Sequence, residues 1–184
     1  MKVFLITICL TITSLITYAQ TLPEDPGRAL HKDIEKITDA DDFEIRKSKQ
    51  LPADEQGVYF KVISNSTLHL YGYMGRQNTC RSGGCDKAGS SDNYDYFDYF
   101  ILFSDEGEVL KVNVYNYQSS HGYQITSRYW LRQFNSYKGK QPLKTGRDVD
   151  AISGATISAN ALTKAVSSKT LKLIKYLKNN FEAE

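Results

Sequence analysis

The fold is decided by three neighbouring segments, Tyr96-Phe-Asp-Tyr-Phe-Ile-Leu-Phe103, Ser104-Asp-Glu-Gly107 and Val109-Leu-Lys-Val-Asn-Val-Tyr115. The first segment is rich in the aromatic and branched residues that favour strands, and the last alternates apolar with polar residues. The segment between them has the composition of a turn. Together they predict a β-hairpin.

Upstream of this hairpin, strands are predicted over Val58–Ile63 and Leu68–Tyr73, and a loop follows the second one. Residues 20–57 carry early prolines and charges of both signs, so we expect an exposed approach segment there. Within it, apolar residues at helical spacing predict a short helix from about Ala29 to Thr38. The chain has 13 tyrosines and 8 phenylalanines, which also favours a large β component.

An amphipathic helix is predicted from about Ser158 to Phe181. Its apolar residues can share one face while its lysines point elsewhere; the face comprises Leu162, Val166, Leu173, Ile174, Leu177 and Phe181, and the lysines are Lys164, Lys172, Lys175 and Lys178. Such a helix can lie on an anionic membrane or pack on a core, and the domain's need for an apolar stripe favours packing. One or two further helical turns are expected over Tyr129–Phe134.

These patterns predict an α+β fold in which helices pack against an antiparallel sheet, with a single domain over residues 58–184. A chain of 184 residues is long enough for one domain with a real core. The formal net charge of +2 is close to balance, so nothing in it indicates a nucleic-acid partner.

The first 19 residues resemble a signal peptide. Lys2 supplies a positive start, an apolar run extends to Ile16, and Thr17 and Ala19 provide small residues before a cleavage site at Gln20. We therefore expect an extracytoplasmic protein, periplasmic or secreted. If the segment is kept as an anchor, it provides a membrane contact; otherwise such contact comes only through a partner.

Two cysteines remain after the signal, Cys80 and Cys85, and in an oxidising compartment an even number predicts a disulfide. A redox-active dithiol is the alternative, although the spacing is not Cys-x-x-Cys. Two thiols with no paired histidine nearby do not suggest zinc, and Asp86 after Cys85 excludes the usual haem attachment. No metal site is expected.

The segment Asp150-Ala-Ile-Ser-Gly-Ala-Thr-Ile-Ser158 opens the last helix. A helix N-terminus offers free N–H groups and a partial positive charge, both of which suit a phosphate. Gly154 and Ala155 keep the approach to the backbone open. The hydroxyls of Ser153, Thr156 and Ser158 can cap the helix, accept a hydrogen bond or serve as a point of covalent attachment.

The same segment resembles the flavinylation motif of the FMN-binding domain family, which includes flavinylated subunits of the sodium-pumping NADH:quinone reductase and of the Rnf complex. The resemblance implies covalent FMN on Thr156, transferred from FAD by a dedicated flavin transferase. By position, Asp150 is the leading acid of the motif and Ser153, Gly154 and Ala155 are its small residues, with Ser158 just beyond. The attachment turn is then the N-terminus of the last helix.

The resemblance extends from about residue 98 to 177, through the hairpin at Ile101–Val114 and the aromatic and Gly-Lys stretches upstream of the motif. It departs at Ser119-Ser-His-Gly122, where the family often has a Glu-Thr-Pro-Gly-like turn. The flavin ring is expected near this corner; the candidate contacts are His121, Gly122, Tyr123 and Trp130, with Tyr117 and Phe134 as further possible walls.

The implied function is that of an extracytoplasmic electron carrier, with no catalytic residue of its own and an unidentified redox partner protein. A covalent link would prevent the loss of FMN where free flavin is scarce. Two alternatives remain open from the sequence. One is an exported flavoenzyme that couples FMN to Cys80 and Cys85, and the other is a flavin-free binding domain in which the motif only caps a helix.

Overall fold

The computed structural model describes residues 25–47, 50–64, 69–81 and 94–181, and within them the chain forms one antiparallel sheet. The five strands lie side by side in the order in which they occur along the chain. They are β1 (Phe43–Lys47), β2 (Gly57–Ser64), β3 (Leu70–Arg81), β4 (Tyr94–Phe103) and β5 (Val109–Gln118). The antiparallel sheet and the helices described next confirm the predicted α+β class.

Helices cover both faces of the sheet. They are α1 (Arg28–Thr38), the single-turn α2 (Arg128–Leu131) and the long α3 (Thr156–Phe181), with short 3-10 segments at Tyr123–Thr126 and Arg132–Phe134. One hydrophobic cluster joins α1 to one face of β2, β3 and β4, and a second joins α2 and α3 to the opposite face. The molecule therefore has three layers, with the sheet in the middle.

The predicted hairpin is present as β4 and β5. Seven consecutive residues of β4, Phe97–Phe103, are buried because helices pack on both faces of this strand. At the turn, the Gly107 N–H donates to the Ser104 carbonyl at 3.1 Å, and Gly107 has a φ of +83°. Glycine adopts this backbone conformation without steric cost, so the turn residue fits its position.

The N-terminal segment belongs to the packed fold, in contrast to the exposed approach expected from its composition. Leu30 and Ile34 of α1 are fully buried against the sheet, and β1 pairs with β2 along its whole length. Charged residues dominate the composition of this segment, which led to the expectation of exposure. One face of α1 is nevertheless apolar, and that face is buried against the sheet.

Strand β3 is longer than predicted, since it continues to Arg81 where the sequence suggested a loop after Tyr73. Two glycines allow close packing along it. A Cβ at Gly72 would lie 2.0 Å from the Phe60 ring, and one at Gly75 would lie 2.5 Å from the Tyr73 ring. Cys80 lies at the end of this strand, but its side chain and Cys85 fall outside the described residues, as does the predicted signal segment.

Helix α3 begins at Thr156, two residues earlier than predicted, and presents the expected apolar stripe to the sheet. Leu162, Val166, Leu173 and Leu177 are buried. Helix α3 therefore packs on the sheet, as its apolar stripe indicated. Its unexpected residue is Lys169, which is buried as well.

Candidate functional site

The motif before α3 folds into a tight turn. The Ala155 N–H donates to the Ile152 carbonyl at 3.1 Å, and Gly154 between them has a φ of +77°. These features define a type II turn, which requires a positive φ at its third residue. A Cβ built on Gly154 meets nothing within 4 Å, and Ser153 is exposed, so the outer side of the turn is open.

Ala155 is the N-cap of α3, because its carbonyl accepts the first helical hydrogen bond, from the Ala159 N–H at 2.9 Å. Its methyl side chain is buried and cannot accept a hydrogen bond. In the part of the chain that the structure describes, no side chain accepts from the N–H groups of Thr156, Ile157 or Ser158. The first turn also contains no acidic residue. The helix thus presents three uncapped donors and its positive dipole end.

Thr156 is the first residue of α3 and is exposed. Side chains on a helix are tilted towards its N-terminus, so this hydroxyl lies on the side of the uncapped N–H groups. The neighbouring Ala155 is buried and fixes the backbone, while Ile157 is 45% exposed. The structure therefore places a buried residue, Ala155, directly before the exposed Thr156, whose hydroxyl can be reached from solvent.

Asp150, at the start of the motif, is held through its backbone. Its carbonyl accepts from the Trp130 Nε1 at 2.9 Å, and its N–H donates to the Gln133 Oε1 at the same distance. The Asp150 side chain remains exposed. Trp130 is itself nearly buried and packs edge-on against Phe134, with ring centroids 5.3 Å apart. The structure thus gives Trp130 and Phe134 a supporting position beneath the motif.

Tyr117 connects the corner after β5 to the first turn of α3. Its hydroxyl donates to the His121 carbonyl and lies 2.9 Å from the Ser158 Oγ. Ser158 is buried, so this contact gives its hydroxyl a hydrogen-bond partner, as buried polar groups require. Sequence reasoning proposed Tyr117 only as a possible wall, and nothing in the sequence indicated its hydrogen bonds or the contact between Gln133 and Asp150.

Gly122 makes this corner possible. It has a φ of +90°, and an added Cβ would lie 2.6 Å from both the Ser158 Oγ and the Tyr117 Oη. Only glycine tolerates such a backbone conformation together with such close approach. Gly122 therefore brings the corner into direct contact with the first turn of α3.

Two aromatic side chains near this corner differ in exposure. The Tyr117 ring stacks on Phe97 at 6.1 Å with an interplanar angle of 7°, whereas Tyr123 is 69% exposed and meets Tyr117 edge-on at 6.3 Å. His121 is exposed, with its Nδ1 2.8 Å from the Ser120 Oγ. Tyr123 therefore offers an accessible ring at this corner.

Residues 96–169 match the model of the FMN-binding domain family. The matched segment runs from β4 through the motif to the middle of α3, so it contains the hairpin, the corner and the turn before α3. This part of the chain is therefore similar to an FMN-binding domain. No curated protein matches the chain. Within the described ranges, no helix has the length and apolarity needed to cross a bilayer.

Proposed function

We propose that the protein is an extracytoplasmic electron carrier that holds FMN covalently, as a phosphoester on the Thr156 Oγ. The observation that carries this proposal is the exposure of Thr156 at the first position of a 26-residue helix whose leading N–H groups have no side-chain cap. An FMN phosphate on that oxygen would lie at the helix N-terminus.

The residues of the motif fit a phosphate diester. A phosphate attached to Thr156 would accept hydrogen bonds from the N–H groups of the first turn and would interact favourably with the helix dipole. The space beside Gly154 is open, and the Ala155 methyl group points into the core. A side chain that capped the helix would compete for the same donors, and an alanine at this position avoids that competition.

The attachment requires a separate enzyme of the flavin-transferase type, with FAD as the donor. In the transfer, the Thr156 Oγ forms a bond to the phosphorus of the FMN half of FAD. The pyrophosphate bond breaks, AMP leaves, and the hydroxyl proton is released. No oxidation or reduction accompanies this step. Thr156 is an acceptor in this scheme, and the exposed Asp150 carboxylate lies at the start of the segment that the transferase would recognise.

When bound, the isoalloxazine ring supplies one- and two-electron chemistry. Tyr123 and His121 are exposed on the corner that Gly122 brings against α3, and we propose that they contact the ring. A covalent link has a physical advantage outside the cytoplasm. A site with micromolar affinity, about 8 kcal/mol, empties when free FMN is diluted far below its dissociation constant, whereas a phosphoester does not dissociate.

The proposal of an extracytoplasmic location rests on the signal-like residues 1–19. Expression of the full chain in a bacterium that exports proteins, followed by N-terminal sequencing of the periplasmic fraction, tests it. We expect a mature protein that begins at Gln20. Recovery of the uncleaved chain with the membrane would indicate a retained anchor.

The covalent link is tested by the intact mass of protein that has been coexpressed with a flavin transferase, followed by peptide mapping. We expect added mass equal to FMN less one water, on the peptide that contains Thr156. Thr156→Ala should abolish the addition, while Ser168→Ala, which removes an exposed hydroxyl of the same helix outside the motif, should retain it. An unmodified Thr156 peptide, or flavin that persists in the alanine variant, would contradict the proposal.

A further inference from the structure

A groove of about 170 Å³ lies beside the edge strand β5, between α1 and α2. Its floor is formed by residues 111–113 of β5, and its two walls come from helices on opposite faces of the sheet. The groove is too small for a nucleotide or a whole cofactor, since sites of that kind typically have volumes of about 300 Å³ or more. Its size suits single side chains.

The groove is strongly basic. Five cationic side chains line it, against a single carboxylate, and the cations are Lys32, Lys36, Lys111, Arg128 and Arg132. The one acid, Asp33, is engaged by Lys111 at 3.7 Å and by the Asn113 amide at 3.2 Å.

The other four cations have no ion-pair partner in the part of the chain that the structure describes. Lys32, Lys36 and Arg128 are exposed, and they form no salt bridge or hydrogen bond with any residue that the structure describes. Arg132 is exposed and lies over the Tyr129 ring, at 5.6 Å from its guanidinium carbon to the ring centroid, and it has no ion-pair partner among the described residues. In a chain with a net charge of +2, four positive charges without a counter-charge among the described residues thus surround one groove.

In the folded protein, this groove lies near the proposed flavin attachment site. The helix α2 that carries Arg128 also carries Trp130, whose indole holds the Asp150 carbonyl. On β5, Asn113 in the groove and Tyr117 beside Ser158 are four residues apart, which is about 13 Å along a strand. A protein bound in the groove would therefore lie next to the flavin-bearing end of the sheet.

We propose that this basic groove is the docking surface for an acidic redox partner protein, which inserts carboxylate side chains between α1 and α2. This inference rests on the proposed electron-carrier function. Electron-transfer partners meet through small interfaces, and charge complementarity raises their association rate. One wall, α1, lies outside the segment that matches the FMN-binding domain family, so the match alone does not account for this surface.

The test uses a decaglutamate peptide as a probe, titrated into ¹⁵N-labelled mature Thr156→Ala protein and followed by NMR. Because this variant cannot carry covalent flavin, the result does not depend on flavin attachment. We expect saturable shifts of the amides of α1, α2 and residues 111–113, which weaken steeply as salt is raised. Lys32→Glu with Lys36→Glu, and Arg128→Glu with Arg132→Glu, should each weaken binding by about tenfold or more.

The matched control is Lys164→Glu with Lys175→Glu, which makes the same change in net charge on exposed positions of α3. It should leave the groove shifts and the affinity nearly unchanged. Equal loss of binding in this control, or shifts spread over the lysines of α3, would overturn the proposal in favour of general attraction. Displacement of the peptide by millimolar inorganic phosphate, with the same shifts, would overturn it in favour of a small-anion site.

Discussion

Gly122 shows how one residue can set the geometry of the site. Its φ of +90° is in the left-handed region, and the space that a Cβ would occupy is already taken by two hydroxyl oxygens. We expect Gly122→Ala to lower the free energy of unfolding by about 2–3 kcal/mol, from backbone strain and from separation of Tyr117 and Ser158. Urea denaturation followed by circular dichroism measures this loss.

Gly146 provides the control for that substitution. It has a similar φ of +82°, but a Cβ there meets nothing within 4 Å. Gly146→Ala should therefore cost only the backbone term, about 1–2 kcal/mol. Equal losses in the two variants would show that close packing at the corner contributes nothing, and that only the backbone conformation matters.

The candidate site could be predicted from the sequence in part. The motif, with Thr156 at a helix start, was readable because fixed residue types occur in order, and the structure places Thr156 at the first position of α3. The hydrogen bonds of Tyr117 and Trp130 were not readable, since they join residues 41 and 20 positions apart. Such pairs depend on how distant elements pack against each other, and the residues around either partner carry no local signal of that packing.

At the scale of elements, α3 is tied to the segment before β2 by a buried ion pair. The Lys169 Nζ lies 2.9 Å from both carboxylate oxygens of Asp54, whose side chain is only 5% exposed. The Tyr73 hydroxyl also donates to this carboxylate at 3.0 Å, and Lys172 adds a longer contact at 3.2 Å. On a helical wheel, Lys169 does not differ visibly from the exposed lysines of α3. Its burial is therefore apparent only from the structure.

We expect Lys169→Met to lower the free energy of unfolding by about 3 kcal/mol, because the buried Asp54 carboxylate loses its main partner. The contact with Lys172 limits the loss. Lys164→Met, at an exposed position of the same helix, should change it by less than about 0.5 kcal/mol. Thermal and urea unfolding of both variants measure the effect, and similar stability in the two would show that the ion pair has no net role.

At the scale of elements, the sequence predicts a strand when its signals are local and misses it when the strand depends on pairing with a distant segment. The hairpin β4–β5 was predicted because its turn and alternation are local signals. The extension of β3 to Arg81 was not, because the polar run after Gly75 becomes a strand only by pairing with β4, residue for residue from Tyr71 to Asn78. Long-range pairing of this kind overrides local composition.

At the scale of the whole molecule, the three layers explain why the N-terminal segment cannot be treated as an appendage. Leu30 and Ile34 contribute to the cluster that covers β2, β3 and β4 on the face opposite α3. Without α1, apolar residues of that face such as Phe60 and Phe100 would be exposed to water. The sequence indicated both the helix and the strands, but the assignment of α1 to its own face required the structure.

The same architecture predicts how stability depends on pH. Burial alone would raise the pKa of Asp54, but hydrogen bonds from Lys169 and the Gln56 backbone, together with the charge of Lys169, hold it below its ordinary value of 3.8. A carboxyl whose pKa is lower in the folded state stabilises the fold above its unfolded pKa, and this contribution is lost as the pH falls through the folded value. Because the pair joins α3 to the sheet layer, its loss should favour global unfolding.

We therefore expect the midpoint of urea unfolding to fall as the pH is lowered from about 5 to 2, with part of the slope due to Asp54. The double variant Asp54→Asn, Lys169→Met removes both the carboxyl and its partner, so it should show a shallower slope while remaining folded at pH 7. Glu44→Gln is the control, since this exposed carboxylate forms its ion pair with the exposed Arg46 of the same strand. An unchanged slope in the double variant would assign the acid sensitivity to other carboxylates, and would remove Asp54 from the interactions that fix α3 on the sheet.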